Sequence, residues 1–176
     1  MSEPDTIVPD EKDWTWVLYE RCGECGFTAA DVDPRQIGAT VRDLLPRYVS
    51  ALSREDARER PAPGVWSALE YGAHVRDVFR IFGERLVLML EHDDPLFENW
   101  DQDATAVEDR YDLQDPAVVA DELVEAGEAT AAAFDEVPHD AWERTGRRSN
   151  GSFFTVGTLG QYFLHDVVHH LHDVHA

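Results

Sequence analysis

Eight histidines occur in the 176 residues, and five of them fall near the C-terminus: His165, His169, His170, His172 and His175. On a helix, at about 100° per residue, His165, His169 and His172 lie within about 60° of one another, while His170 points roughly the opposite way. Two imidazoles at i and i+4 project from adjacent turns and can grip one metal ion. The same spacing also suits a polar, partly solvated C-terminal helix. His74 is the best candidate for a third ligand, since it sits at the edge of the apolar stripe of the best-defined helix. An imidazole facing a bundle interior must be hydrogen-bonded or metal-bound, so a satisfied core histidine is its other reading.

The two cysteines offer a second chemistry. Cys22 and Cys25, followed by Gly26 and Phe27, form one half of a zinc ribbon or knuckle, whose tight turn aims both thiolates at a metal. The other half is missing. Completion calls for histidines such as His139, His172 or His175, or for a second subunit. A redox pair and plain reduced thiols are the remaining readings, and two cysteines make no disulfide framework.

Composition limits what such sites act on. With 36 acidic and 15 basic residues the formal charge is −21. That excludes nucleic-acid binding, which needs a basic surface to neutralise phosphates, and disfavours anionic membranes. An apolar fraction of 43% still supports a packed core. Residues 1–13 are acidic and lack the basic and apolar regions of a signal peptide. The longest apolar run, Leu86–Leu90, is far short of the ~20 residues of a membrane span. A soluble, cytoplasmic protein is expected.

The elements that must position these residues are helices. Residues 1–32 read as an N-terminal extension, with Trp14, Trp16 and Leu18 alternating as in an extended segment, before a domain at 33–176. Asp33-Pro34 opens the first helix, with Gln36 placed to close a capping box and Pro46 expected to kink or break it. Ser67 to Glu70 is a capping box for the second helix, whose stripe is Tyr71, Val75, Val78, Phe82, Leu86 and Met89. Asp115-Pro116 opens the third, and the fourth starts near Thr155 or Thr158 and carries Phe163, Val167 and Val174. An acidic connection over 92–114 separates helices two and three. The fold expected is all-α: a four-helix bundle with one long crossover. Since Phe163, Val167 and Val174 face away from the histidine stripe, a homodimer is expected to cover them.

Trp66-Ser67-Ala68-Leu69-Glu70-Tyr71-Gly72-Ala73-His74, followed by His165-Asp166-Val167-Val168-His169, resembles the DinB/YfiT-like superfamily of four-helix metalloproteins over about residues 34–174. The resemblance implies His74, His165 and His169 as metal ligands. It also implies, for some members, S-transferase or isomerase activity with a low-molecular-weight thiol such as mycothiol or bacillithiol. The residues are consistent with this. Three neutral imidazoles leave a divalent ion, zinc or nickel, with an open position at which it acidifies water or holds a thiolate. Asp77, Asp166 and Asp173 are candidates to orient the imidazoles, and Tyr162, one turn before His165, to bond a ligand. Arg147 and Arg148 either receive an anionic substrate or offset the negative field. The function expected is a thiol-dependent transferase or isomerase, or a metal-assisted hydrolase, acting on a small molecule. A non-catalytic metal-binding or stress-response protein is the alternative.

Overall fold

Three of the four long helices, and the turn that leads into the other, begin on a side chain that takes up backbone donors left open at the start. The computed structural model describes residues 6–176, so the first five residues of the expected 1–32 extension lie outside the described residues. Asp33 accepts from Arg35 N at 3.0 Å and starts one 3₁₀ turn, Pro34–Gln36. Helix α1, Ile37–Leu52, follows and continues across Pro46. No capping box closes through Gln36; the Asp33 carboxylate accepts from the backbone N and the guanidinium of Arg35. Helix α2, Ala68–Glu91, carries the reciprocal cap: Ser67 Oγ accepts from Glu70 N at 3.2 Å, and Glu70 accepts from Ser67 N at 2.8 Å. Helix α3, Gln102–Glu108, is a short piece inside the crossover. Helix α4, Pro116–Asp135, begins on Asp115, and helix α5, Val156–Asp173, on a Thr155–Thr158 box.

Helices α1, α2, α4 and α5 form a four-helix bundle, in which α2 packs on α4 and α5 while α1 packs on α4 and α5. The crossover lies between α2 and α4. Phe163 of α5 sits among Phe79 and Phe82 of α2 and Phe134 of α4, at ring separations of 5.7, 5.6 and 5.6 Å. Close approach at the α1 start requires Gly38: a Cβ there would lie 2.7 Å from the Ala131 carbonyl oxygen.

Two elements differ from expectation. Trp14–Leu18 is a 3₁₀ helix and not extended; Asp13 accepts from Thr15 N at 3.0 Å, and the two tryptophans stack at 5.7 Å. A small sheet also joins the helices. Strand β1 (Leu96–Phe97) runs parallel to β2 (Thr145–Arg148), and β3 (Phe153–Thr155) pairs antiparallel with β2, Gly146 opposite Phe154. It ties the crossover to the segment entering α5.

Phe163, Val167 and Val174 are buried within this chain. The apolar surface that motivated a second copy is therefore covered by the chain itself. Among the described residues, no helix is long and apolar enough to cross a membrane.

Tyr48 of α1 donates to the Val167 carbonyl of α5 at 2.6 Å from a fully buried position. Tyr48→Phe keeps the ring and removes this bond, so a loss of about 1 kcal/mol in urea unfolding is expected. An unchanged midpoint would show that the bond contributes nothing.

Candidate metal centre

His74 lies in the second turn of α2, on the side that faces α5, and is fully buried. Its Nε2 is 3.3 Å from Asp166 Oδ1. The His170 Nε2 lies 3.3 Å from that same oxygen. One carboxylate oxygen thus stands between two imidazole nitrogens. His170 Nδ1 is 2.8 Å from Asp173 Oδ2, which fixes the ring and leaves Nε2 facing Asp166. His170 thus sits between two carboxylates, and its Nε2 can meet Asp166 either through a proton or through a metal ion. His74 Nδ1 is buried without a partner among the described residues. Two imidazoles and a carboxylate are a donor set for a divalent ion.

Aromatic side chains cover the His74 side of this group, while Asp166 and His170 stay partly exposed. Trp100, from the crossover, stacks on the His74 ring at 5.3 Å and 5°, and is itself anchored by Nε1 to Thr105 Oγ1 at 2.8 Å. Trp66 packs on His74 at 5.4 Å, and Tyr71 on His170 at 5.0 Å.

His165 and His169 turn to a different set of donors. With Cys22 and Cys25 they form a group whose ligand atoms all lie within 4.8 Å of one another. Cys22 Sγ is 3.6 Å from His169 Nδ1. Trp14 packs against both rings, at 5.5 and 5.0 Å, and Phe27 meets His165 edge-on at 5.4 Å. The knuckle turn closes through Gly26 N to Cys22 O (2.9 Å) and Cys22 N to Phe27 O (2.8 Å), with Gly26 at φ +80°. That left-handed conformation suits glycine.

Burial and neighbouring charges together set the protonation of these groups. Burial pushes His165 down to about 4, helped by the neighbouring His169. It also lowers His74 and His169. For His170 burial is outweighed by Asp166 and Asp173, which raise it. Asp166 is held low, because the attraction of His170 and the hydrogen bond from His74 outweigh its burial. Burial raises the Cys25 thiol to about 11. The lowered His74, His165 and His169 and the ionised Asp166 are in the forms that bind metal, whereas His170 and Cys25 would release protons on binding.

A cavity of about 280 Å³ opens beside both groups and is lined by His165, Asp166, His169 and His170 of α5. Its rim carries Asp10, Glu24, Asp103 and Asp173, with Lys12 the one Lys or Arg among the described lining residues and Trp14, Tyr71 and Tyr162 among the walls. Part of the acidic crossover, Gln102 and Asp103, therefore reaches the cavity.

The family model that matches residues 39–174 is that of the DinB superfamily. The chain belongs to the DinB superfamily. The solved structure of YfiT from Bacillus subtilis, described as a probable metal-dependent hydrolase with an unusual four-helix bundle topology, is similar at a TM-score of 0.66 and 19% identity. The match covers 79% of this chain and 81% of that one. No curated protein matches the sequence.

Within this DinB-superfamily chain, the residues singled out by sequence are regrouped. Of the expected His74, His165 and His169, the structure sets His74 with Asp166 and His170, and joins His165 and His169 to Cys22 and Cys25. The cysteines find the histidines of α5's first pair, not His139, His172 or His175. Asp166 and Asp173 stand at the His74 group, whereas Asp77 is held by Arg76, Arg80 and the Tyr111 hydroxyl. Tyr162 lines the cavity and packs on Phe82 and Phe154. Arg147 pairs with Asp94 at 3.1 Å, and Arg148 is buried against Asn150, Ser152 and two aromatic rings, so neither faces the cavity. His170, Trp100 and Trp66 stand at the candidate centre without having been singled out as site residues by the sequence. Only Asp166-x-x-x-His170, an i, i+4 pair of its own, carried a signal for His170.

Proposed function

We propose that this protein is a metal-dependent hydrolase of a small neutral or cationic molecule, with a divalent ion held by His74, Asp166 and His170. The observation that supports it most directly is the shared Asp166 oxygen, 3.3 Å from the Nε2 of both histidines beside the cavity. Zinc or nickel suits the donors. When bound, such an ion supplies Lewis acidity at an open position, acidifying water to a pKa of about 7 or polarising a carbonyl. The residues do the rest. Asp173 keeps His170 in the ligating tautomer, Trp100 and Trp66 exclude water from His74, and the acidic rim selects against anions. The YfiT description as a probable metal-dependent hydrolase supports the same chemistry.

A low-molecular-weight thiol can take the same open position as thiolate, which is the S-transfer that the family resemblance implies. The rim disfavours thiols bearing several carboxylates. Untagged protein analysed for metal, then assayed with neutral esters, amides and thiol–electrophile pairs, tests the reading. The expected result is chelator-sensitive hydrolysis, with His74→Ala losing about one equivalent of metal and the activity. Hydrolysis indifferent to chelator overturns the metal reading; metal-dependent thiol adducts without hydrolysis replace it by S-transfer.

A further inference from the structure

We propose that Cys22, Cys25, His165 and His169 hold a structural zinc ion that clamps the N-terminal segment onto α5. The donor set shares no residue with the His74, Asp166 and His170 group, so the two sites can be tested separately. Tetrahedral zinc, with bonds of ~2.0–2.3 Å to nitrogen and sulfur, sets its donors ~3.3–3.8 Å apart. Cys22 Sγ and His169 Nδ1 are 3.6 Å apart, and all four ligand atoms lie within 4.8 Å of one another. The set is therefore near coordination distance with no backbone rearrangement.

Three further observations point to an ion. His165 is more than nine-tenths buried and its Nε2 has no hydrogen-bond partner among the described residues, a state that is costly for an imidazole nitrogen and that ligation relieves. His169 Nε2 lies 3.3 Å from Glu24 Oε2, so the outer carboxylate takes the Nε2–H and leaves the Nδ1 lone pair toward Cys22. Glu24 lies between the two cysteines, in the knuckle itself. Both cysteines are free thiols, in a C-x-x-C turn of the form zinc knuckles use. A redox pair gives no reason for two histidines from the far end of the chain to converge on the sulfurs.

Four protein ligands leave no open position, which marks the site as structural. On binding, the two thiols release their protons to solvent and the two thiolates neutralise the ion's charge. The clamp fixes the segment that carries Trp14 over His165 and His169, and so builds one wall of the cavity.

Cobalt substitution and thiol protection in the full-length protein test this. The expected results are a sulfur-to-cobalt charge-transfer band that is retained in His74→Ala and lost in Cys22→Ser with Cys25→Ser. In the unsubstituted protein, zinc should slow alkylation of both thiols at least ~10-fold, and this readout needs no variant to fold. Thiols that alkylate equally fast with and without zinc overturn the proposal, as does a cobalt spectrum without a thiolate band. A thiolate band that vanishes in His74→Ala overturns the separation of the two sites, whereas loss of only the hydrolase activity in His74→Ala leaves the clamp intact.

Discussion

Asp166→Ala is expected to lower metal affinity at the His74 group at least ~100-fold, the upper end of what losing a mere outer partner costs. The reason is geometric: one Asp166 oxygen serves both Nε2 atoms, so its removal leaves two imidazoles of like polarity with nothing between them. Asp173→Asn should lower affinity less, about 10- to 100-fold, because Asp173 only orients His170. Asp77→Asn should leave affinity unchanged, since Asp77 faces Arg76, Arg80 and Tyr111. Titration of the metal-free variants with zinc or nickel measures this order. Equal affinities for Asp166→Ala and Asp77→Asn would remove Asp166 from the site. The same series separates ligation from loss of charge alone, since each of the three substitutions removes one carboxylate and only Asp166 and Asp173 line the cavity.

The helical architecture was legible because its signals are local. Ser67 and Glu70 form the box their spacing announces, and the α2 stripe from Val75 to Met89 is buried as its period requires. The exceptions are equally physical. Five residues from Trp14 to Leu18 are too few for alternation to tell a strand from a 3₁₀ turn, and the Asp13 cap decides the matter. Strand β1 is two residues long and β2 reads Thr-Gly-Arg-Arg, so neither has a strand's composition; they pair because the crossover returns beside the segment entering α5.

The site was half legible for a reason visible on α5. His165 and His169 form one i, i+4 pair, and Asp166 and His170 form another, rotated about 100° around the helix. The first pair is conspicuous because both members are histidines. The second hides an aspartate among 36 acidic residues. Which pair meets His74 depends on how α5 is rotated against α2, and that is set by core contacts such as Phe163, not by the motif. The meeting of Cys22 with His169 is non-local in the same way, for it spans 147 residues.

Phe163→Ala is expected to destabilise the protein by about 3–5 kcal/mol, the range for emptying a buried aromatic site. Phe163 has no exposed surface and stacks on Phe134 at an 11° interplanar angle, with Phe79 and Phe82 closing the other sides. Those neighbours belong to α2 and α4, so a small residue at 163 opens a cavity where three helices meet. Rigid helix backbones limit collapse into it. For a domain of this size the loss corresponds to roughly 6–20 °C in Tm. Phe153→Ala serves as the comparison, because Phe153 is 60% exposed and its loss should stay within about 0.5 kcal/mol. Urea unfolding of the two variants at fixed metal loading makes the measurement, since any bound ion adds its own stabilisation. A cost below about 1 kcal/mol for Phe163→Ala would mean that the junction repacks freely. In that case the rotation of α5, and with it the assignment of Asp166 and His170 to the His74 side, would no longer be held by the core.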